Sequence, residues 1–75
     1  MIKELDSVIL DINLPNSPLK KGDLGTVVLI YEHGKGYEVE FNTLDGKSID
    51  VVTLLKSQIR EIKHKEIAHV RKIPA

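Results

Sequence analysis

Few side chains in this chain have chemistry to offer. The histidines are His33, His64 and His69, and there is no cysteine. A helical zinc pair takes histidines four apart, whereas His64 and His69 are five apart with nothing to complete a ligand set. Without cysteine there is no thiolate nucleophile and no disulfide framework. His33-Gly34-Lys35-Gly36 has the glycines and lysine of a phosphate loop. It lacks the Gly-x-x-x-x-Gly-Lys-Ser/Thr spacing and the following helix whose amides would hold the anion, so it reads as a hairpin turn. Glu38 and Glu40 share one face of a strand, where an acid–base pair would need a cleft; they read as its wet side. No serine lies in a Gly-x-Ser-x-Gly setting. The chain is expected to be non-enzymatic, with no cofactor and no metal.

Aromatic residues bear on the binding modes that remain. Only Tyr31, Tyr37 and Phe41 are present, and strand alternation sends Tyr37 and Phe41 inward. Tyr31 alone is a poor platform for stacked bases or a polyproline ligand.

The elements that must position these residues belong to a single small domain of 75 residues. A chain this short buries about 60–65% of its unfolded surface, so its core is thin, and a binding face suits it better than a deep pocket. The N-terminus has neither a basic nor an apolar signal region, and the longest apolar run, Val27 to Tyr31, cannot cross a bilayer. Together with the lack of cysteine, this leads us to expect a cytoplasmic protein that makes no membrane contact. Net charge is zero but unevenly spread. Residues 1–59 carry six Lys against nine Asp or Glu, a balance of −3. Residues 60–75 carry five Lys or Arg against two Glu, a balance of +3.

The punctuation is that of an all-β protein. Asp6 to Leu10 reads as a first strand and Leu24 to Glu32 as the strongest one. Between them lies a long connection, 11–23, in which Pro15 and Pro18 exclude a helix or a central strand. Tyr37-Glu38-Val39-Glu40-Phe41 alternates cleanly, as a strand wet on one side does. Asp45-Gly46 predicts a tight primed hairpin turn. The strand from Lys47 to Thr53 puts Ile49 and Val51 on one face but Val52 and Leu54 on the other, which predicts a bulge or a bend. Residues 55–58 read as a helical turn and Ile59 to Lys63 as a last strand. Five short strands of this kind predict a small closed barrel, which removes the exposed edges of a flat sheet.

The segment after the barrel admits two readings. Ile59, Ile62, Ile67, Val70 and Ile73 fall within a stripe about 140° wide on a helix, which predicts a helix over 64–72, formed on a partner. A frayed end whose apolar residues partly cover the barrel is the other reading. The domain is accordingly divided into a barrel, 1–63, and a basic, apolar tail, 64–75.

Lys21-Gly22-Asp23-Leu24-Gly25-Thr26-Val27, opening a long strand, resembles the KOW-type strand of small SH3-like barrels. With Leu5-Asp6-Ser7-Val8, Asp45-Gly46, Val52-Thr53-Leu54 and Ser57-Gln58-Ile59-Arg60, residues 1–62 resemble a bacterial family of small proteins of unknown function, common in cyanobacteria; residues 64–75 extend past the resemblance. The resemblance implies a five-stranded SH3-like barrel with a C-terminal extension. It carries no catalytic or cofactor residue, and it implies the company of small paired proteins such as antitoxins.

The expected function is therefore protein binding, as the neutralising partner of a small toxin. The alternative is a nucleic-acid-associated barrel that meets phosphates through lysines and the basic tail. Candidate contact residues on the barrel are Lys20, Lys21, Tyr31, His33 and Lys35. On the tail they are Ile67, Val70, Arg71, Lys72 and Ile73.

Overall fold

The computed structural model describes residues 1–73. Strands β1 (Ser7–Leu10), β2 (Leu24–Tyr31), β3 (Gly36–Asn42), β4 (Ser48–Leu55) and β5 (Ile59–Glu61) form one antiparallel sheet in the order β4-β3-β2-β1-β5. The fold is all-β, as expected. The two edge strands, β4 and β5, are joined only by a 3₁₀ turn, Lys56–Gln58. In a flat sheet they would lie four spacings apart, roughly 19 Å. Four Cα steps from Leu55 to Ile59 reach at most about 14 Å. The sheet must therefore curl, and its concave side becomes the core. On edge strand β4, the Asp50 carboxylate takes the Val51 amide (2.9 Å) and the Gln58 side chain takes the Leu55 amide (2.7 Å). Amides capped in this way are closed to a stray strand.

Phe41, Leu10, Leu54, Val8, Val27 and Val39 are fully buried, and Tyr37, Leu19, Ile59 and Ile2 cluster with them in the core. The alternation of β3 holds, with Tyr37, Val39 and Phe41 inside. Gly25 also faces in, because a Cβ there would stand 2.5 Å from Val39 Cγ1 and 2.9 Å from Phe41 Cε1. The glycine thus makes room for the largest core side chain.

Two bulges re-phase the strands. On β4 the register skips Ile49 between Asp50 and Ser48. The expected bulge exists, but it brings Ile49 onto the core face with Val52 and Leu54, while Val51 points out. The expected pairing of Ile49 with Val51 is corrected: a bulge shifts side-chain parity by one. On β2 the register skips Val28, between Val27 opposite Val39 and Leu29 opposite Glu38. Val27 and Ile30 therefore face the core, while Val28 and Leu29 both stay on the outside.

The turn types also differ from expectation. At Thr43–Lys47 the Gly46 amide donates to the Thr43 carbonyl (3.0 Å), and only Gly46 has positive φ. That is an ordinary type I turn closed by a left-handed glycine, not a primed turn. The primed geometry occurs at Tyr31–Gly34, where Glu32 (φ 41°) and His33 (φ 58°) are both left-handed. The Gly34 amide there donates to the Tyr31 carbonyl at 2.9 Å. Glu32 accordingly ends up in the turn rather than in β2.

The long connection is tied down. Leu19 is buried, and Ile12 and Leu14 pack against the core. The Gly22 amide donates to the Leu10 carbonyl, and the Leu14 amide to the Leu19 carbonyl. Beyond β5, which ends at Glu61 rather than Lys63, the described part of the tail, up to residue 73, holds no helix. A helix over 64–72 would be short enough to need tertiary support. Its apolar stripe finds none, since Ile67 is 95% and Val70 68% exposed. The other reading is not overturned: the described tail has no regular secondary structure, and two ion pairs tie it to the domain. No described helix is long and apolar enough to cross a membrane.

Candidate protein-binding surface

The outward bulge of β2 sets the first feature. Val28 lies beside Leu24, Thr26 and Gly25 of β2, Glu40 and Asn42 of β3, and the turn residues Leu5 and Leu44. They line a shallow depression of about 320 Å³ on the convex side of the sheet. Leu5, Leu24, Val28 and Leu44 are all exposed, Leu44 by 87% and Leu5 by 77%. Leu5 is also held at φ 72°, a conformation that leucine adopts only under constraint. Its amide donates to the Val27 carbonyl at 2.6 Å, and the Val27 amide donates to Asp6 at 2.9 Å, which fixes the turn against β2. Glu40 supplies charge at the depression, and on the same strand face Glu38 accepts a hydrogen bond from the Thr53 hydroxyl.

A second, more open depression of about 550 Å³ lies where Met1 to Glu4 meet Ile30, Glu32 and His33. Among the described residues no three His, Asp or Glu side chains converge as metal ligands.

The third feature joins the long connection to the tail. Asp23 Oδ1 accepts from Arg71 Nε (2.8 Å), and Oδ2 accepts from Arg71 Nη2 (2.6 Å). Arg71 Nη2 also donates to the Pro18 carbonyl at 2.6 Å. The carboxylate is oriented independently by the Lys20 amide, which donates to Oδ2 at 2.8 Å. Burial pushes the Asp23 carboxyl up, but the Arg71 guanidinium and the Lys20 amide outweigh it and hold it below its ordinary value. Nearer β5, Arg60 forms a second fork on Glu66, at 2.8 and 2.6 Å, and the Lys63 amide adds a bond at 2.6 Å. These bonds, the Arg60 pair first, lower the Glu66 carboxyl from 4.5 to about 2.

The candidates named from the sequence fall into two groups. Lys20 and Arg71 meet at Asp23, Lys20 through its backbone. Lys21 is exposed nearby, its amide held by Asn13 Oδ1 at 2.9 Å. Ile67, Val70, Lys72 and Ile73 are exposed along the tail. Tyr31, His33 and Lys35 cluster at the other hairpin, where Lys35 approaches Glu32 at 3.9 Å. No hydrogen bond or ion pair among the described residues links that hairpin to the tail. Sequence reasoning missed Asp23, Glu66 and the outward leucines. The run Val27 to Ile30 was the available signal, because four successive apolar residues in a half-wet strand cannot all face the core.

A family model, described as a domain of unknown function (DUF4926), matches residues 4–61, and the chain belongs to that family. Neither a curated protein nor a solved structure matches it. The tail from residue 62 onward lies outside the family match.

Proposed function

We propose that this member of the family is a non-catalytic protein-binding module that docks through the outer face of its sheet. The observation that carries the reading is the β2 bulge, which leaves Val28 outside beside Leu5, Leu24 and Leu44, around Glu40. Four exposed aliphatic side chains gathered around one depression offer a partner an apolar contact. Glu38 and Glu40, with the −3 balance of residues 1–59, favour a partner whose apolar contact is flanked by basic groups. A small toxin with a basic substrate groove has that character, which supports a neutralising, antitoxin-like role in the cytoplasm.

The curled five-stranded sheet, the long loop feeding β2 and the inward Gly25 support an SH3-like barrel with a KOW-type strand. Phosphate binding is the less favoured reading. Arg60 of β5 and Arg71 of the tail are already engaged by carboxylates, which leaves the lysines to meet phosphates in the described tail.

The test is differential capture from cells that naturally make the protein. Wild-type chain and Leu55→Lys, an exposed position elsewhere, should retain the same partner. The double variant Leu24→Lys/Leu44→Lys should lose it. A partner retained equally by the double variant would refute the outer face as the docking surface.

A further inference from the structure

We propose that Asp23 and the Pro18 carbonyl form a receptor slot for an arginine side chain of a partner protein, which Arg71 of the tail fills until it is displaced. The slot presents three acceptor oxygens to one guanidinium, a match for the planar fork of arginine that lysine cannot make.

The slot is set up without the tail. Asp23 is held by its side-chain bond from the Lys20 amide, by its own amide donating to the Lys20 carbonyl (3.0 Å), and by its carbonyl accepting from Leu10 (2.9 Å). Buried Leu19, between Pro18 and Lys20, anchors the turn to the core. All of these residues lie within the family match, whereas the occupant, Arg71, lies outside it.

The occupant is weakly retained by everything except this fork and the Arg60–Glu66 pair. Between them, Ile67, Ala68, His69 and Val70 are exposed and contribute little apolar burial. A tethered arginine competes at an effective concentration of about millimolar, enough to hold the slot closed to weak ligands and open to a well-matched partner. The tail thus acts as a built-in competitor. The partner being a protein rests on the binding-module reading, but the slot is testable without that partner.

The probe is an acetylated peptide of residues 67–73, titrated by calorimetry at low salt into three full-length chains. Arg71→Ala, with its slot vacated, should bind the peptide about threefold to fivefold more tightly than wild type. Replacing the peptide's arginine with lysine should weaken binding about tenfold. The double variant Asp23→Asn/Arg71→Ala should bind far more weakly than Arg71→Ala. Equal affinity of wild type and Arg71→Ala, no binding by Arg71→Ala, or full binding by the double variant would overturn the slot. None of these results depends on whether the outer face holds its partner, so the two proposals fail separately.

Discussion

In the sheet domain, Phe41, Leu10, Leu54, Val8, Val27 and Val39 are stripped of solvent, while in the tail Ile62, Ile67, Val70 and Ile73 all stay exposed. The tail is held instead by Arg60 on Glu66 and Arg71 on Asp23. Burial of apolar surface is non-directional and is not screened by salt. Partly exposed ion pairs are individually small, and both salt and acid weaken them. One chain therefore contains a domain made to persist and a segment made to let go.

The sharpest way to break this contrast is to attack the core. Phe41→Ala should cost about 3–5 kcal/mol, a large share of the roughly 4–11 kcal/mol available to a domain of this size. Urea unfolding followed by circular dichroism should find it largely unfolded, and a loss below 1 kcal/mol would contradict the packing described. Gly25→Ala should cost about 1–3 kcal/mol by overpacking against Val39 and Phe41. Adding Phe41→Leu to it should cost less than the two single changes summed, whereas strict additivity would mean that they do not touch.

Smaller effects belong to the turn and the tail. His33→Gly should stabilise the protein by about 0.5–1 kcal/mol, since it relieves a left-handed non-glycine residue in an exposed turn. A thermal midpoint that falls would argue that the His33 side chain holds the hairpin. Arg71→Ala should change global stability by less than about 1 kcal/mol, while freeing the tail.

Acid should release the tail in a defined direction. The folded-state carboxyls of Asp23 and Glu66 are both lowered, Glu66 from 4.5 to about 2. Groups lowered by folding stabilise fully above their free values and lose that contribution as pH falls through their folded ones. Methyl signals of Val70 should therefore be constant above about pH 4.5 and shift toward free-chain values on the way down to pH 2. A shift confined to neutral or alkaline pH would contradict the assignment.

Much of the domain was legible from local pattern. Tyr37, Val39 and Phe41 sit where alternation puts them, and Pro15 and Pro18 do mark a loop. Bulges were harder to place, because inserting one residue inverts parity for everything beyond it. Val51 and Ile49 parted company for that reason, and Val28 was left outside. The tail's helical spacing was real in the sequence but had no surface to bury itself on, so charge decided its course. The Asp23–Arg71 fork joins residues 48 apart, and no local pattern encodes such a meeting. The outer-face leucines were likewise visible only once the curl of the sheet had brought the Leu5 turn, β2 and the Leu44 turn together.

Backbone order parameters of the full-length chain, measured at about 50 mM and about 1 M salt, test the division of the molecule most directly. The Debye length falls to about 3 Å at the higher salt. Residues 7–61 should stay rigid at both, near 0.85. Residues 66–72 should be ordered at low salt and drop below about 0.6 at high salt, and in Arg71→Ala residues 69–72 should already be there at low salt while Glu66 stays held by Arg60. A tail equally rigid at both salts, or equally mobile at both in the wild-type chain, would contradict a charge-held strap on a burial-held domain.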